Sequence, residues 1–417
     1  MESVSQLPSG RAVPDELIEI EEAKRVVLER AAPLPAEMVL LQEALGRVLA
    51  VDVGASDPVP GFDNSAMDGF AVRAADTGAA SAGAPVTLTV VDESRAGRPA
   101  SRGVGPSEAI RISTGAMVPE GADAVVRVED TSAADGHVEV AVPVEAGRDV
   151  RRAGEDARAG EDVLRRGILL GPAELGVLAS VDRPSVECTR RPRVSVVVTG
   201  DELHEPGVPL APGGIRNSNA YSVPALVERA GGEVAGIETA PDAPAPTRAA
   251  IERAVDADVV VVSGGVSVGR HDHVRRAFAE LGVEELFWGI AVRPGRPTAF
   301  GTHPGGALVF GLPGNPVSAI VTFLLLARPA IDALLGVDAQ RFSATAILAD
   351  EYPKKPGRAH AVRCRLELRD DGWHARPTGE QGSHILTSML DADCLALIPT
   401  ESGTVNAGER VRIEMLP

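Results

Sequence analysis

Lysine is almost missing from this sequence, standing only at Lys24, Lys354 and Lys355. Nearly all positive charge is therefore arginine, and with 44 Gly, 32 Pro and abundant alanine this has the look of a genome-wide bias, in which arginine fills positions that related chains give to lysine. Positive charge of either kind is itself scarce. Lys+Arg total 41 against 59 Asp+Glu, a formal charge of −18, which argues against non-specific binding to nucleic acid or an anionic membrane because both require a positive field. That total still leaves room for a local basic pocket. Cysteine is confined to Cys188, Cys364 and Cys394, far apart and without a C-x-x-C pair; this argues against a disulfide framework or a cysteine zinc site and fits a reducing compartment. No basic stretch followed by an apolar one is seen near Met1, so no signal peptide is expected. The longest apolar run, 319–327, stops at Arg328, short of the ~20 residues of a bilayer span. The expectation is a cytoplasmic protein with neither membrane nor nucleic acid as partner.

What is present is a chain of 417 residues, 44% hydrophobic and 24% charged, enough for two to four domains with real cores. Leu17, Ile20, Val27 and Leu28 fall at helical spacing after Pro14-Asp15, which predicts a helix over 15–31. From about Pro58 the texture becomes β: VTLTV (86–90) and HVEVAV (137–142) alternate apolar and polar residues between Gly/Pro/Asp turns. Residues 61–155 thus read as a β-rich module inserted into a helical one made of 14–60 plus 156–190. From Arg191 short, nearly continuous apolar runs (VSVVVTG, VAGIETA, DVVVVSGG, ALVFGLPG) alternate with helical stretches such as SVPALVERA. Fully apolar strands between helices predict a mostly parallel sheet covered on both faces, an α/β domain over 191–338. Alternation returns in 339–417, where Asp370-Asp371-Gly372 marks a hairpin turn within a C-terminal β module.

In open parallel sheets, ligands bind beyond the carboxyl ends of the strands. Three strand ends here run into polar, glycine-rich turns: Thr199, Gly200, Asp201 and Glu202; Ser263, Gly264, Gly265 and Ser267, then Asp272; and Gly314, Asn315, Pro316 and Ser318 at the start of a long apolar helix. Glycine lets backbone approach a ligand closely, and N–H groups at a helix start favour an anion. Any one such turn is more often only a turn; three at successive strand ends predict an anion-binding floor. None forms G-x-G-x-x-G or a Walker motif, so a dinucleotide or P-loop reading has no direct support. Asp201, Glu202, Asp242 and Asp272 lie beside these turns, which makes electrostatic sense if Mg²⁺ bridges carboxylates and phosphates. Capping explains Asp272 equally well on its own. His271 and His273 flank it, too few ligands for a transition-metal site. Arg293 and Arg296 surround a Pro-Gly turn and Arg363 lies on the polar face of the hairpin, guanidinium forks suited to tetrahedral oxyanions. Two further segments, 60–72 with Asp63, Asn64, Ser65 and Asp68, and 111–130 with Thr114, read as binding loops without a stated ligand.

Taken together, PGFDNSAMDGFAV, STGAMVPEGADAVV, RRAGEDARAG, VVVTGDEL, VVSGGVSVGRHDHV, FWGIAVRPGRPTAFG, GLPGNPVSA, KPGRAHAVRCRL and GEQGSHILTSML make the chain resemble the molybdopterin molybdenumtransferase family, which includes bacterial MoeA and the gephyrin E-domain. The resemblance spans roughly residues 14 to 400. It implies a multidomain α/β protein: a discontinuous helical part, an inserted β part, a three-layer α/β domain and a C-terminal β-barrel, assembled as an elongated homodimer. It implies molybdate transfer to the dithiolene of adenylyl-molybdopterin with Mg²⁺-dependent release of AMP. Asp242, Asp272 and Glu202 then match acidic positions tied to magnesium and catalysis. Asp68, Thr114 and Asp156 match functional positions that reach a site across the dimer, while Arg293, Arg296, Pro297, Ser318, Arg363 and Ser383 match positions tied to the oxyanion. Arg293 and Arg296 stand where many relatives carry lysine; Gly289 stands where some carry another, which removes a cation. The resemblance also brings in the upstream adenylyltransferase and recipient molybdoenzymes as partners. Two other readings stay open: the adenylyltransferase itself, whose domain resembles 191–335, and a pterin-binding scaffold without turnover.

Overall fold

The computed structural model describes residues 17–266, 273–338 and 341–416; Ser267, His271 and Asp272 lie outside them. The chain opens with α1 (Ile20–Leu28), which buries Ile20, Ala23 and Val27 along one stripe. Strand β1 (Ala36–Leu40) and the two-residue β2 (Val48–Leu49) come next. An inserted six-stranded sheet follows, formed by β3 (Gly69–Val72), β4 (Val86–Ser94), β5 (Glu108–Ile112), β6 (Ala124–Arg127), β7 (Thr131–Ala134) and β8 (His137–Val140) in the order β6-β3-β5-β4-β8-β7. After it come α2 (Pro172–Ser180) and β9 (Ser185–Thr189), and β9 returns to lie between β1 and β2. The insertion read from the sequence is therefore visible as a sheet whose two flanking segments pair with each other.

The α/β part follows: β10 (Arg193–Thr199), α3 (Asn219–Arg229), β11 (Glu233–Ala240), α4 (Pro244–Ala254), β12 (Val259–Ser263), α5 (His273–Glu280), β13 (Glu284–Trp288), β14 (Val292–Arg293), β15 (Ala299–Thr302) and β16 (Leu308–Leu312). Sheet order is β11-β10-β12-β16-β15-β13. The first four strands pair in parallel, and β15 pairs antiparallel with both β16 and the edge strand β13, so the apolar runs predict the parallel part and only β15 runs against it. Alternation explains why both faces are dry. Val194, Val196, Val198, Val259 and Val261 join one core, and Val197, Val260 and Val262 join the other. Each fully buried valine contributes about 1.5–3 kcal/mol relative to exposure.

A continuous helix α6 spans Pro316–Leu335, with a π-helical turn over Phe323–Ala327. It is long and apolar enough to cross a membrane, yet 94% of its apolar window is buried inside the protein. The sequence reading ended this run at Arg328; the structure carries the helix through it. Arg328 is only 2% exposed, donates to Glu414 at 3.0 Å and to the Met415 carbonyl at 2.8 Å, and lies over the Phe342 ring.

Last come β17 (Ser343–Leu348), β18 (Ala359–Arg369), β19 (Gly372–Pro377), β20 (Cys394–Ile398) and β21 (Arg410–Met415). They close into a five-stranded barrel through the order β18-β19-β17-β21-β20 and a further β18–β20 pairing. The β18–β19 hairpin turns at Asp370-Asp371, with Arg369 opposite Gly372. Strand β14, from the α/β part, pairs in parallel with the start of β18, Arg293 beside His360.

Candidate functional site

Strands β10, β12 and β16 are parallel neighbours, so their carboxyl ends emerge side by side. Thr199 ends β10, and Gly264 follows β12 so closely that a Cβ there would stand 2.5 Å from the Thr199 carbonyl oxygen. With φ at +100° as well, only glycine fits. Gly264 N–H donates to the Leu312 carbonyl at 3.0 Å, which ties the second turn to the third. Ser263, fully buried, donates to the Pro313 carbonyl at 3.2 Å.

Asn219, at the start of α3, was not anticipated from the sequence, yet it joins these turns. Its Nδ2 donates to Ser263 Oγ at 2.9 Å and to the Gly314 carbonyl at 2.8 Å. The signal available was an asparagine opening a helix after a polar loop. Around this floor, three buried polar atoms lack a partner: Thr199 Oγ1, Asn219 Oδ1 and Asp242 Oδ1. Buried polar atoms are nearly always paired, so orphans gathered at one sheet edge mark a place where a ligand completes the bonding.

The acidic residues sit on the neighbouring strand end. Asp242, past β11, donates its backbone N–H to Asp201 Oδ1 at 3.0 Å. Glu202 is exposed on the same turn as Gly200, its carboxylate 2.8 Å from where a Cβ on Gly200 would stand. Among the described residues no three His, Cys, Asp or Glu gather closely enough to hold a metal by themselves. Mg²⁺ asks for less, one or two carboxylates completed by water and substrate phosphates, and the orphaned Asp242 oxygen beside Asp201 supplies that kind of hard donor.

The third turn meets the barrel. Asn315 Nδ2 donates to Ser383 Oγ at 3.3 Å, and the Val317 N–H to the Ser383 carbonyl at 3.2 Å. Arg363 holds the loop that carries Ser383: Nε donates to Ser388 Oγ at 3.0 Å, and its Nη atoms donate to the carbonyls of Glu380, Gln381 and Gly382 at 3.2–3.4 Å. It is fully buried, and burial pushes its pKa down from the ordinary arginine value. The sequence placed Arg363 on the polar face of the hairpin as an oxyanion fork; that face is covered, and all three guanidinium nitrogens are committed to the loop.

Arg293 and Arg296 are exposed on the β14–β15 turn, with Pro297 half-buried. Gly295 holds this turn against α6, where a Cβ would meet Thr322 Cγ2 at 2.4 Å. Thr322 in turn donates to the carbonyl of Ser318 at 2.8 Å, one helical turn earlier. Gly289 has φ at +84° and a Cβ there would press on Leu17 at 2.9 Å, so the turn as built in this chain favours glycine over a cationic side chain. Asp68 and Thr114 are brought together, the Thr114 N–H donating to Asp68 Oδ1 at 2.8 Å, and the Asp156 N–H bonds to the Val59 carbonyl at 2.9 Å. Among the described residues no hydrogen bond or ion pair joins these three to the α/β sheet.

Three family models tile the chain: the MoeA N-terminal region (domain I and II) over residues 18–181, a probable molybdopterin binding domain over 195–333, and the MoeA C-terminal region (domain IV) over 345–416. The chain is 38% identical to the molybdopterin molybdenumtransferase of Haemophilus influenzae, across 95% of this chain and 98% of that one. The chain belongs to the molybdopterin molybdenumtransferase family. A second family member, from Bacillus subtilis, is 35% identical across 96% and 94% of the two chains. The crystal structure of a molybdopterin biosynthesis MoeA protein from Pyrococcus horikoshii superposes with a TM-score of 0.81 at 35% identity, covering 96% of this chain and 99% of that one. The multidomain fold is thus that of the family, whose curated members are transferases.

Proposed function

We propose that this chain inserts molybdenum into molybdopterin, transferring molybdate to the dithiolene of adenylyl-molybdopterin while the phosphoanhydride is hydrolysed and AMP leaves. The observation that carries this reading is the set of orphaned buried atoms (Thr199 Oγ1, Asn219 Oδ1, Asp242 Oδ1) around the glycine turns. Thr199, Ser263, Gly264, Gly265, Gly314, Asn315 and Pro316 form the floor that binds the pterin and its phosphates, a role the sequence also gives to Ser267. Ser318 and Ser383 line the edge toward the oxyanion, Arg293 and Arg296 supply the cations that grip it, and Arg363 keeps the Ser383 loop in position. Asp242, with Glu202 and Asp272, would hold Mg²⁺, which when bound neutralises the phosphoanhydride oxygens. The protein's own task is to bring two anions together, and backbone donors plus guanidinium groups in a partly dry cleft lower that repulsion.

The reading extends to the assembly. Asp68, Thr114 and Asp156 of one protomer complete the strand-end site of a second in a cytoplasmic homodimer, which takes substrate from an adenylyltransferase and serves recipient molybdoenzymes. The test is molybdate-dependent AMP release from adenylyl-molybdopterin. Asp242→Asn is expected to lower turnover by about 10²-fold, the scale of losing one preorganised electrostatic group, with pterin binding within a few-fold of the parent. ATP consumption without molybdate would instead indicate an adenylyltransferase, and tight pterin binding with no AMP formed, a scaffold.

A further inference from the structure

A second basic feature lies at the mouth of the C-terminal barrel. A cavity of about 760 Å³ is lined by Arg293, Lys354, Lys355, Arg358, His360 and Thr404, together with Pro353, Pro356 and Gly357. Four cations thus face one space with no carboxylate among its lining residues, in a chain whose formal charge is −18. Two of the sequence's few lysines are here. Among the described residues, no hydrogen bond or ion pair engages the side chain of Arg293, Lys355 or Arg358. Lys354 is fixed: 8% exposed, it donates to the Thr400 and Ser402 carbonyls at 3.1 and 2.7 Å. An ammonium has three N–H donors, so one remains. The nearest acidic influences on it, Glu401 and Glu19, act only through space.

His360 supplies an independent observation. It is 9% exposed, lines the cavity, and its Nδ1 pairs with the Tyr352 hydroxyl at 3.1 Å, while among the described residues no hydrogen bond engages Nε2. In the tautomer whose Nδ1 accepts from the Tyr352 hydroxyl, this nine-tenths-buried ring carries its proton on Nε2, a donor for an acceptor ligand on a wall that also bears four cations.

We propose that this cavity binds a ligand carrying phosphate groups, with Lys355, Arg358 and Arg293 contacting the oxyanions and Lys354 and His360 completing the inner wall. Its volume lies within the range of small-molecule pockets, 300–1,000 Å³, which is far more than a single tetrahedral oxyanion fills. Cations spread over such a volume match charge distributed over two or more phosphates. Two sources share this chemistry: the phosphoanhydride of the nucleotide substrate, an arm that rests on the proposed transfer reading, and a free oligophosphate.

Calorimetric titration of the full chain with inorganic pyrophosphate tests the site. Saturable binding is expected, weakened at least tenfold in Lys355→Gln/Arg358→Gln and restored to within about threefold by the charge-preserving Lys355→Arg/Arg358→Lys. Melting temperatures measured alongside keep a folding defect from passing as lost binding. Unchanged pyrophosphate affinity in the Gln variant, or no saturable binding to the parent chain, overturns the proposal. Competition of ADP with pyrophosphate assigns the site to nucleotide phosphates; pyrophosphate binding that ADP does not displace assigns it to free oligophosphate. AMP release on the same preparations separates the two readings. Pyrophosphate binding without AMP release leaves the site standing and removes the transfer reading, whereas AMP release without pyrophosphate binding does the reverse.

Discussion

His360 illustrates how one residue's surroundings set its charge. Burial first, then Arg293, Lys354 and Arg358, push its pKa down from 6.5 to about 4, so the folded protein holds the ring neutral. Between those values the unfolded chain binds the proton that the folded chain refuses. The stabilisation is therefore present above pH 6.5 and lost as pH falls toward 4, by roughly 3 kcal/mol at about 1.4 kcal/mol per unit. Asp332 works in the opposite sense: burial raises it to about 6 despite Arg341 at 2.7 Å, so its contribution declines as pH rises from its unfolded value through 6. Subtracting the stability profile of His360→Asn from that of the parent isolates the first effect. A residual slope between pH 6.5 and 4 is expected, and a flat difference would contradict it. Neither shift was legible in the sequence, because burial is the largest cause of each and depends on how the elements pack. Glycine positions were legible: Gly200, Gly264 and Gly314 stood out beside apolar runs, and the backbone approach at Gly264 supplies the reason.

At the scale of elements, α6 and the barrel are riveted by charge. Glu414 on β21 receives Arg328 at 3.0 Å, Lys24 of α1 at 3.4 Å and Arg412 at 3.0 Å, with Ser343 Oγ donating at 2.6 Å. Removing one member of a buried charged group leaves its partners uncompensated, which costs about 3–5 kcal/mol. Glu414→Gln is therefore expected to lower chemical-denaturation stability by that order; a change under about 1 kcal/mol would show that the cluster is well hydrated. This network explains why the apolar run was cut short in the sequence reading. An arginine closes a hydrophobic segment unless a carboxylate waits for it, and here that carboxylate lies 86 residues away. The strands of the α/β sheet needed no such knowledge, since unbroken valine runs announce burial on both faces. Strand β14 was illegible for the converse reason: two residues carry no periodicity, and its partner belongs to another unit.

For the whole molecule, the strand-end turns, the Ser383 loop and α6 are joined by hydrogen bonds within one chain, whereas the pair Asp68–Thr114 and Asp156 are not bonded to them. If a second protomer supplies those residues, two inactive variants should complement. Mixing Asp68→Ala with Asp242→Ala after subunit exchange gives hybrid dimers with one intact site, and recovery of about one quarter of parental AMP release is expected from random pairing of two-fold dimers. No recovery would confine each site to its own chain. The separate contributors were readable as motifs, but motifs do not state which chain completes which cleft. The route of the chain between β13 and β15 has a mechanical corollary. Val292–Arg293 is stitched to the barrel at Ala359–His360, and Ala299 resumes pairing in the sheet with Gly311. Along this route a swing of the barrel relative to the sheet is absorbed by two short connections, 289–291 before β14 and 294–298 after it, and Arg296 stands in the second. Such a hinge would change the gap between Arg293 and Arg296, making the span between two guanidinium groups a gauge of how open the molecule stands.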